Sequence, residues 1–370
     1  IARERGNGKA PNPWGRFPFA SEEICGKIVG KSDSSAEAAP KRGQNLGKEG
    51  NETMEQVTIV GRGALGILYG HALTQCLGPD KVTFLAEGER FKRYQTQNVT
   101  CNGRPCLFRV VNGEEQPAEE PADLLIFAVK ATALEEAVSL AAKGHVGENT
   151  IILSVLNGIS SEEIIGRILG AEHVLTCVAQ GMDAVKLGND LKYTHIGQIC
   201  IGIRPDEAGK EPMLEAVTAL FERTGLPYTR EEDILARLWG KWMLNVGVNQ
   251  TVMVTEGTYE TVQKPGEARD MMRAAMGEVL ELAKAEGISV TERDLEMYVS
   301  LIDSLNPNGM PSMRQDGLLK RPSEVELFSG TVIARADAAG VPVPVNRELY
   351  RRIREMEAAY GRTGPESEKD

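Results

Sequence analysis

Three regimes of hydrophobic patterning succeed one another along the chain. Residues 1–53 carry no sustained period and are rich in Gly, Pro, Ser, Lys and Glu, a composition that buries too little apolar surface to offset the entropy of ordering. From Val57 onward, short apolar runs alternate with stretches of helical period. Residues 57–60, 81–86, 124–129, 151–156 and 174–179 read as strands, and the unbroken apolar run at 124–129 suits a strand buried on both faces. Helical stretches over 65–76 and 134–142 lie between them, and Ser160 with Glu163 has the spacing of a capping box for a helix ending near Gly170. Residues 99–111, centred on Asn102-Gly103, predict a hairpin, and 193–196 with 198–203 predict a polar-turned pair that completes the sheet. The alternation predicts an α/β fold: a mostly parallel, doubly wound sheet of Rossmann type.

After about Thr229 the strand signals stop. Met272, Ala275, Met276, Val279, Leu280 and Ala283 share one helical face, with Gly287 placed as a C-cap. Thr291 and Asp294 mark a further helix start, and Val325, Phe328, Val332, Ile333 and Ala336 form another stripe that Gly340 and Pro342 end. Asn346 is placed to cap a last helix carrying Leu349, Ile353, Met356 and Tyr360. The pattern divides the chain into an extension over 1–53, a Rossmann unit over 54–228, an all-helical unit over 229–361, and a disordered tail over 362–370. Because Met54 stands just before the first strand, it is the expected natural start, with 1–53 a disordered or artefactual extension.

Composition narrows the class. Apolar content of 41% and charged content of 26% are those of a soluble globular protein. The formal charge of −11 argues against a nucleic-acid surface. No apolar run reaches the roughly 18 residues of a membrane helix. The six cysteines (Cys25, Cys76, Cys101, Cys106, Cys177, Cys200) include no C-x-x-C pair, so free thiols in a reducing cytoplasm are expected, although Cys101 and Cys106 could join across a turn. No zinc pattern is present.

Candidate chemistry begins at residues 57–70, V-T-I-V-G-R-G-A-L-G-I-L-Y-G. A strand runs into Gly61, Gly63 and Gly66 at the G-x-G-x-x-G spacing, and a helix follows. Gly61 permits the sharp turn, Gly63 lets a phosphate approach the backbone, and Gly66 lets helix and strand pack closely. Arg62, Ala64 and Leu65 complete this loop, whose N–H groups face a pyrophosphate at the helix start. Lys130 and Asn157 each follow a buried strand at its carboxyl end, where open α/β sheets bind ligands. In W-G-K-W-M-L-N-V-G-V-N, residues 239–249, Lys241, Asn245 and Asn249 recur every four residues and share one helical face. Two readings of that stripe stand: a buried lysine with a lowered pKa, suited to donating a proton, or a solvated face with a snorkelling lysine. Ser312-Met-Arg-Gln-Asp316 follows a Pro/Gly/Asn loop, and Glu324 and Glu326 open the next helix; a carboxylate there is a candidate partner for Lys241.

From Met54 to about Tyr360 the chain resembles the ketopantoate reductase (2-dehydropantoate 2-reductase) family. The resemblance rests on motifs in order: G-R-G-A-L-G at Gly61, A-V-K-A at Lys130, L-N-G at Asn157, the Trp239 stretch, P-S-M-R-Q-D at Pro311 and S-E-V-E at Ser323. It implies reduction of the 2-oxo group of ketopantoate to (R)-pantoate with NADPH, on the route to pantothenate and coenzyme A. It further implies that Lys241 gives the proton to the ketone oxygen and that Glu324 holds Lys241 and the substrate hydroxyl. Asn245, Asn249 and Ser312 would bind substrate, with Lys130 and Asn157 at the cofactor. No metal is implied, and the family allows a monomer or a homodimer.

Two positions depart from the family's pattern. Where an arginine usually follows the second strand, this chain has Leu85-Ala-Glu-Gly-Glu-Arg90, and the carboxylate of Glu87 suits the free ribose hydroxyls of NADH. Arg62, Arg90, Lys92 and Arg93 are nearby cations able to pair with the 2′-phosphate of NADPH, so NADPH is the expected cofactor and NADH its alternative. Tyr259 stands where the family often has a substrate-binding asparagine. The competing functions are a related reductase for another branched 2-oxo acid and a non-catalytic dinucleotide sensor. The joint presence of Lys241, Asn245, Asn249, Ser312 and Glu324 speaks against the sensor, which needs no proton donor.

Overall fold

The computed structural model describes residues 54–114 and 121–360. The expectations for 1–53 and for the tail lie outside the described residues. The chain opens with β1 (Val57–Val60), α1 (Ala64–Leu77), β2 (Val82–Ala86) and α2 (Gly88–Thr96). A short hairpin, β3 (Thr100–Cys101) and β4 (Arg104–Pro105), precedes β5 (Arg109–Asn112), β6 (Leu124–Phe127), α3 (Leu134–Ala141) and β7 (Ile151–Ser154). The main sheet has the order β5-β2-β1-β6-β7, and each neighbouring pair is parallel. Strand alternation gives it two buried faces: Val57 and Ile59 join Ile67, Leu68 and Leu73 of α1 in one core, while Val60, Leu125 and Phe127 join Leu134 and Val138 of α3 in another. Because the strand order reverses between β1 and β6, a crevice opens at their carboxyl ends.

Beyond β7 come α4 (Ser161–Leu169), β8 (Thr176–Gln180), β9 (Val185–Leu187), β10 (Asp190–Lys192), β11 (Gln198–Gly202), α5 (Glu211–Thr224) and β12 (Tyr228–Arg230). They form two small sheets, β4-β3-β10-β9 and β12-β11-β8.

Three local expectations are corrected here. Asn102 and Gly103 do make the tight turn, with φ of 49° and 77°, but the antiparallel ladder covers only β3 and β4. Residues 109–112 leave it to pair in parallel with β2, because burial against a core strand outweighs lengthening an exposed hairpin. Residues 193–196 form no strand; β11, buried at Ile199, Cys200 and Ile201, pairs antiparallel with β8 in a separate sheet that covers its apolar positions. Ser160 holds the N-cap position of α4 without a side-chain cap, since its backbone (φ −114°, ψ −10°) is not the extended conformation a cap needs. The polar chain runs inward instead, from Ser154 Oγ to Ser161 Oγ (2.8 Å) to Glu162 Oε2 (2.9 Å).

The remaining residues are helical. At their centre runs α6 (Ile234–Val254), started by Asp233, whose carboxylate accepts the Ala236 N–H at 2.9 Å. Apolar on most sides, it is a buried helix, and α7 (Tyr259–Gln263), α8 (Glu267–Ala285), α9 (Glu292–Ser304), α10 (Ser312–Leu318) and α12 (Pro344–Tyr360) pack on it; α11 (Thr331–Ala339) packs on α8 and α12. Gly247 allows the close approach of α8: a Cβ there would lie 2.4 Å from Met276 Cγ. Trp242, 1% exposed, donates to the Leu327 carbonyl at 2.8 Å and meets Trp239 edge-on at 5.2 Å. Thr291 and Asp294 form the expected capping box of α9. Asn346, by contrast, does not cap the last helix, which begins at Pro344. It lies fully buried, donating to the Ala275 carbonyl and Glu278 Oε2 and accepting from Ser329 Oγ, so its amide is used to join three segments of the core. The five described cysteines are free thiols.

Candidate active site

The glycine loop is shaped to exclude side chains. Gly61 has φ of +106°, and a Cβ on it would stand 2.6 Å from the Ala128 carbonyl oxygen. A Cβ on Gly66 would fall 1.9 Å from the Gly61 carbonyl oxygen, so α1 and β1 approach as closely as they do only because that residue is glycine. Gly63 is the N-cap of α1 and supplies no capping side chain, and the first turn carries no acid. The leading N–H groups, on Ala64, Leu65 and their neighbours, are thus left for an anion attracted by the helix dipole. These features fit a dinucleotide pyrophosphate.

Lys130 and Asn157 follow β6 and β7, at the same end of the sheet as the glycine loop. Lys130 Nζ pairs at 2.9 Å with Asp316 Oδ2 of α10, a buried carboxylate that Arg321 also holds. Asn157 is the hinge of the polar network. Its Oδ1 accepts from Lys241 Nζ at 3.0 Å, and its Nδ2 donates to Glu324 Oε2 at 3.0 Å. Lys241 Nζ also donates to the Ala179 carbonyl at the end of β8, at 2.7 Å. The carboxylate expected to pair with Lys241 directly is therefore joined to it through an amide. Burial pushes the Lys241 ammonium down to about 8, with Glu324 the largest opposing influence. An ammonium has three donors, and two are committed here, so one N–H remains for a substrate oxygen.

One and two turns along α6, Asn249 Nδ2 donates to Asn245 Oδ1 at 3.1 Å, while Asn249 Oδ1 is buried without a partner. A buried orphaned acceptor on the same helical face as Lys241 is poised for a hydroxyl donor. Ser312 is exposed as the first residue of α10. Glu324, not Glu326, joins the network: Glu326 is exposed and accepts from the Tyr350 hydroxyl at 2.7 Å. Tyr259 packs its ring against Gly309 in the loop before Ser312, and burial pushes its phenol up to about 12. The Asp316–Lys130 pair and the Ala179 carbonyl were not picked out by sequence reasoning; Asp316 sits inside a motif that was noted, but only the fold reveals its partner. A cavity of about 530 Å³ between α4 and α6, lined by Glu162, Arg204, Trp239 and Arg335, shares none of these cleft residues.

A parallel sheet with an uncapped glycine loop, faced across its crevice by a buried lysine on a helical wall, defines a dinucleotide-dependent reductase. Residues 57–206 match the family description "Ketopantoate reductase PanE/ApbA" and residues 233–357 match "Ketopantoate reductase PanE/ApbA C terminal". The chain belongs to the ketopantoate reductase family, whose cofactor is a nicotinamide dinucleotide. Among curated relatives, the 2-dehydropantoate 2-reductase of Pyrococcus abyssi is 24% identical over 83% of this chain and 99% of its own length. That of Vibrio cholerae is 27% identical over 65% of this chain and 80% of its own length. Similar solved folds include a ketopantoate reductase family member from Ralstonia eutropha (TM-score 0.70, 23% identity, 83% of this chain and 99% of that one). A D-mandelate dehydrogenase solved with NADH also shares the fold (TM-score 0.72, 21% identity, 83% and 99% covered). No helix among the described residues is long and apolar enough to cross a membrane.

Proposed function

We propose that this protein reduces ketopantoate to (R)-pantoate with NADPH, and that Lys241 is its proton donor. The observation that carries the reading is the Lys241–Asn157–Glu324 network, which leaves one ammonium N–H free on the helical face that carries the orphaned Asn249 acceptor two turns further on. Gly61, Arg62, Gly63, Ala64, Leu65 and Gly66 hold the dinucleotide, with Lys130 at the crevice mouth. When bound, the reduced nicotinamide supplies a hydride to the carbonyl carbon. Lys241 stabilises the negative charge that develops on the carbonyl oxygen and then gives it a proton. Asn157 fixes the ammonium in place and couples it to Glu324, whose charge keeps Lys241 protonated near neutral pH. Asn249 Oδ1 accepts from the substrate hydroxyl, and Asn245 and Ser312 donate to its carboxylate.

Glu87, the residue that favours NADH, accepts from Lys143 Nζ at 2.8 Å, so its charge is offset within the protein. This supports NADPH. Reduction rates with ketopantoate and a panel of branched 2-oxo acids, each with NADPH and with NADH, test the proposal. Highest kcat/KM for ketopantoate with NADPH is expected. A different preferred acid would overturn the substrate, and a strong NADH preference the cofactor. A cytoplasmic location and a monomer or homodimer accord with this role; one similar fold is that of a dimeric ketopantoate reductase from Staphylococcus aureus.

A further inference from the structure

Gln180 ends β8, one residue past the Ala179 carbonyl that accepts from Lys241 Nζ. It is 3% exposed, and its Oε1 is buried without a hydrogen-bond partner. Among the described residues nothing pairs with its Nε2 either. Gln198, directly opposite on β11, does not serve it, because Gln198 Nε2 donates to Cys200 Sγ at 3.7 Å. Buried amides that use neither end are rare, and one beside the Lys241 ammonium calls for a partner from outside the chain.

Two constraints aim this amide at the cleft. Along β8, Cys177 and Ala179 pack into the core that holds Ile67 and Leu73 of α1, whereas Val178 packs into the helical core with Trp242 and Met243. Strand alternation turns Gln180 the same way as Val178, towards α6. With Lys241 Nζ 2.7 Å from the Ala179 oxygen, the planar peptide keeps the Gln180 Cα within about 5.5 Å of the ammonium. The turn that follows is pinned. Gly181 has φ of 77°, and the Asp183 carboxylate accepts the Thr194 and His195 N–H groups at 2.8 and 2.7 Å. Fixed backbone therefore presents the amide.

The chemistry of the reaction narrows its partner. The carboxylate and carbonyl oxygens of a 2-oxo acid only accept, and the substrate hydroxyl is matched by Asn249 Oδ1. One group in the reduction both donates and accepts: the carboxamide of the nicotinamide, carried on the ring carbon next to the one that gives up hydride. Hydride and proton go to the two ends of a single C=O bond, so that carboxamide belongs close to Lys241. We propose that Gln180 binds the nicotinamide carboxamide as an amide pair, Nε2 donating to its oxygen and Oε1 accepting from its N–H group. Held so, the ring is fixed in rotation before Lys241, and both ends of a buried amide are satisfied. The proposal rests on the reduction reading above.

Calorimetric titration of the full chain, without substrate, tests it. The probes are NADPH, NADH and the 3-acetylpyridine analogue of each, in which a methyl replaces the carboxamide N–H2. The unaltered protein is expected to bind the natural dinucleotide about tenfold more tightly than its analogue, one hydrogen bond's worth of discrimination. Gln180→Met, matched in length but without the amide, should bring the two within about twofold of each other. A simple loss of structure would weaken both alike and leave their ratio unchanged, and that result would overturn the assignment. Equal binding of dinucleotide and analogue by the unaltered protein would overturn it too. So would a Gln180→Met variant that raises KM for ketopantoate while dinucleotide affinity and discrimination stay intact, which would give the amide to the substrate. Failure of the unaltered protein to bind either dinucleotide would overturn it together with the reduction reading, whereas the expected affinities without ketopantoate turnover would strike only at the substrate.

Discussion

On the sheet side of the cleft the recognition surface is backbone, and on the helical side it is side chain. The glycine loop offers N–H groups at the start of α1, and its three glycines matter for what they lack. Helix α6 offers Lys241, Asn245 and Asn249, and its neighbours offer Asn157 and Glu324, all of which matter for the atoms they carry. The first surface recognises a feature shared by all dinucleotides. The second, in the proposed reduction, is matched to the carbonyl oxygen, hydroxyl and carboxylate of one substrate. The two should therefore fail differently: added bulk harms the sheet side, and removed groups harm the helical side.

The largest expected effect is on the helical side. Lys241→Ala should lower kcat by about a hundredfold or more, the usual scale for a general acid, with the affinity for dinucleotide nearly unchanged. Near-normal turnover in stopped-flow assays of that variant would remove Lys241 from the role. Next comes the sheet side. Gly66→Ala places a Cβ 1.9 Å from the Gly61 carbonyl oxygen, and this should weaken both NADPH and NADH at least about tenfold by forcing the loop open. If equilibrium titration showed dinucleotide affinity intact, the close approach would not matter to binding. The smallest effect belongs to the contact that spans both sides. Asp316→Asn weakens the pairs with Lys130 and Arg321, each about half-exposed, and should lower stability by about 1 kcal/mol in urea unfolding. A loss several times larger would mean that this pair holds the two sides together.

The same contrast explains what could be read before the fold was known. The glycine loop and the buried strands are local signals, and β1, α1, β2 and β6 lie where their patterns place them. The Lys241–Asn245–Asn249 stripe was legible because helical spacing puts residues four apart on one face. The two- and three-residue strands of the small sheets were not, since so short a run shows no period. Residues 109–112 misled because the Asn102-Gly103 turn is a local signal, whereas their partner β2 is chosen by burial. Asn346 looked like a cap, and only the packing of α8 against α12 shows that its amide satisfies Glu278 and Ser329. Lys130 and Asp316 stand 186 positions apart, and nothing local links them. The amide between Lys241 and Glu324 was hidden for the same reason: Asn157 reads locally as a loop residue after a strand, and its two partners come from α6 and from the turn before α11.

The central claim is that a lysine with a lowered pKa delivers the proton, and the pH dependence of ketopantoate reduction tests it most directly. Only the protonated ammonium can donate, so with Lys241 titrating at about 8, kcat/KM should be level below that pH and fall about tenfold per unit above it. Lys241→Arg should lose this alkaline limb, because a guanidinium stays protonated throughout. A limb near pH 8 that persists unchanged in Lys241→Arg would contradict the account.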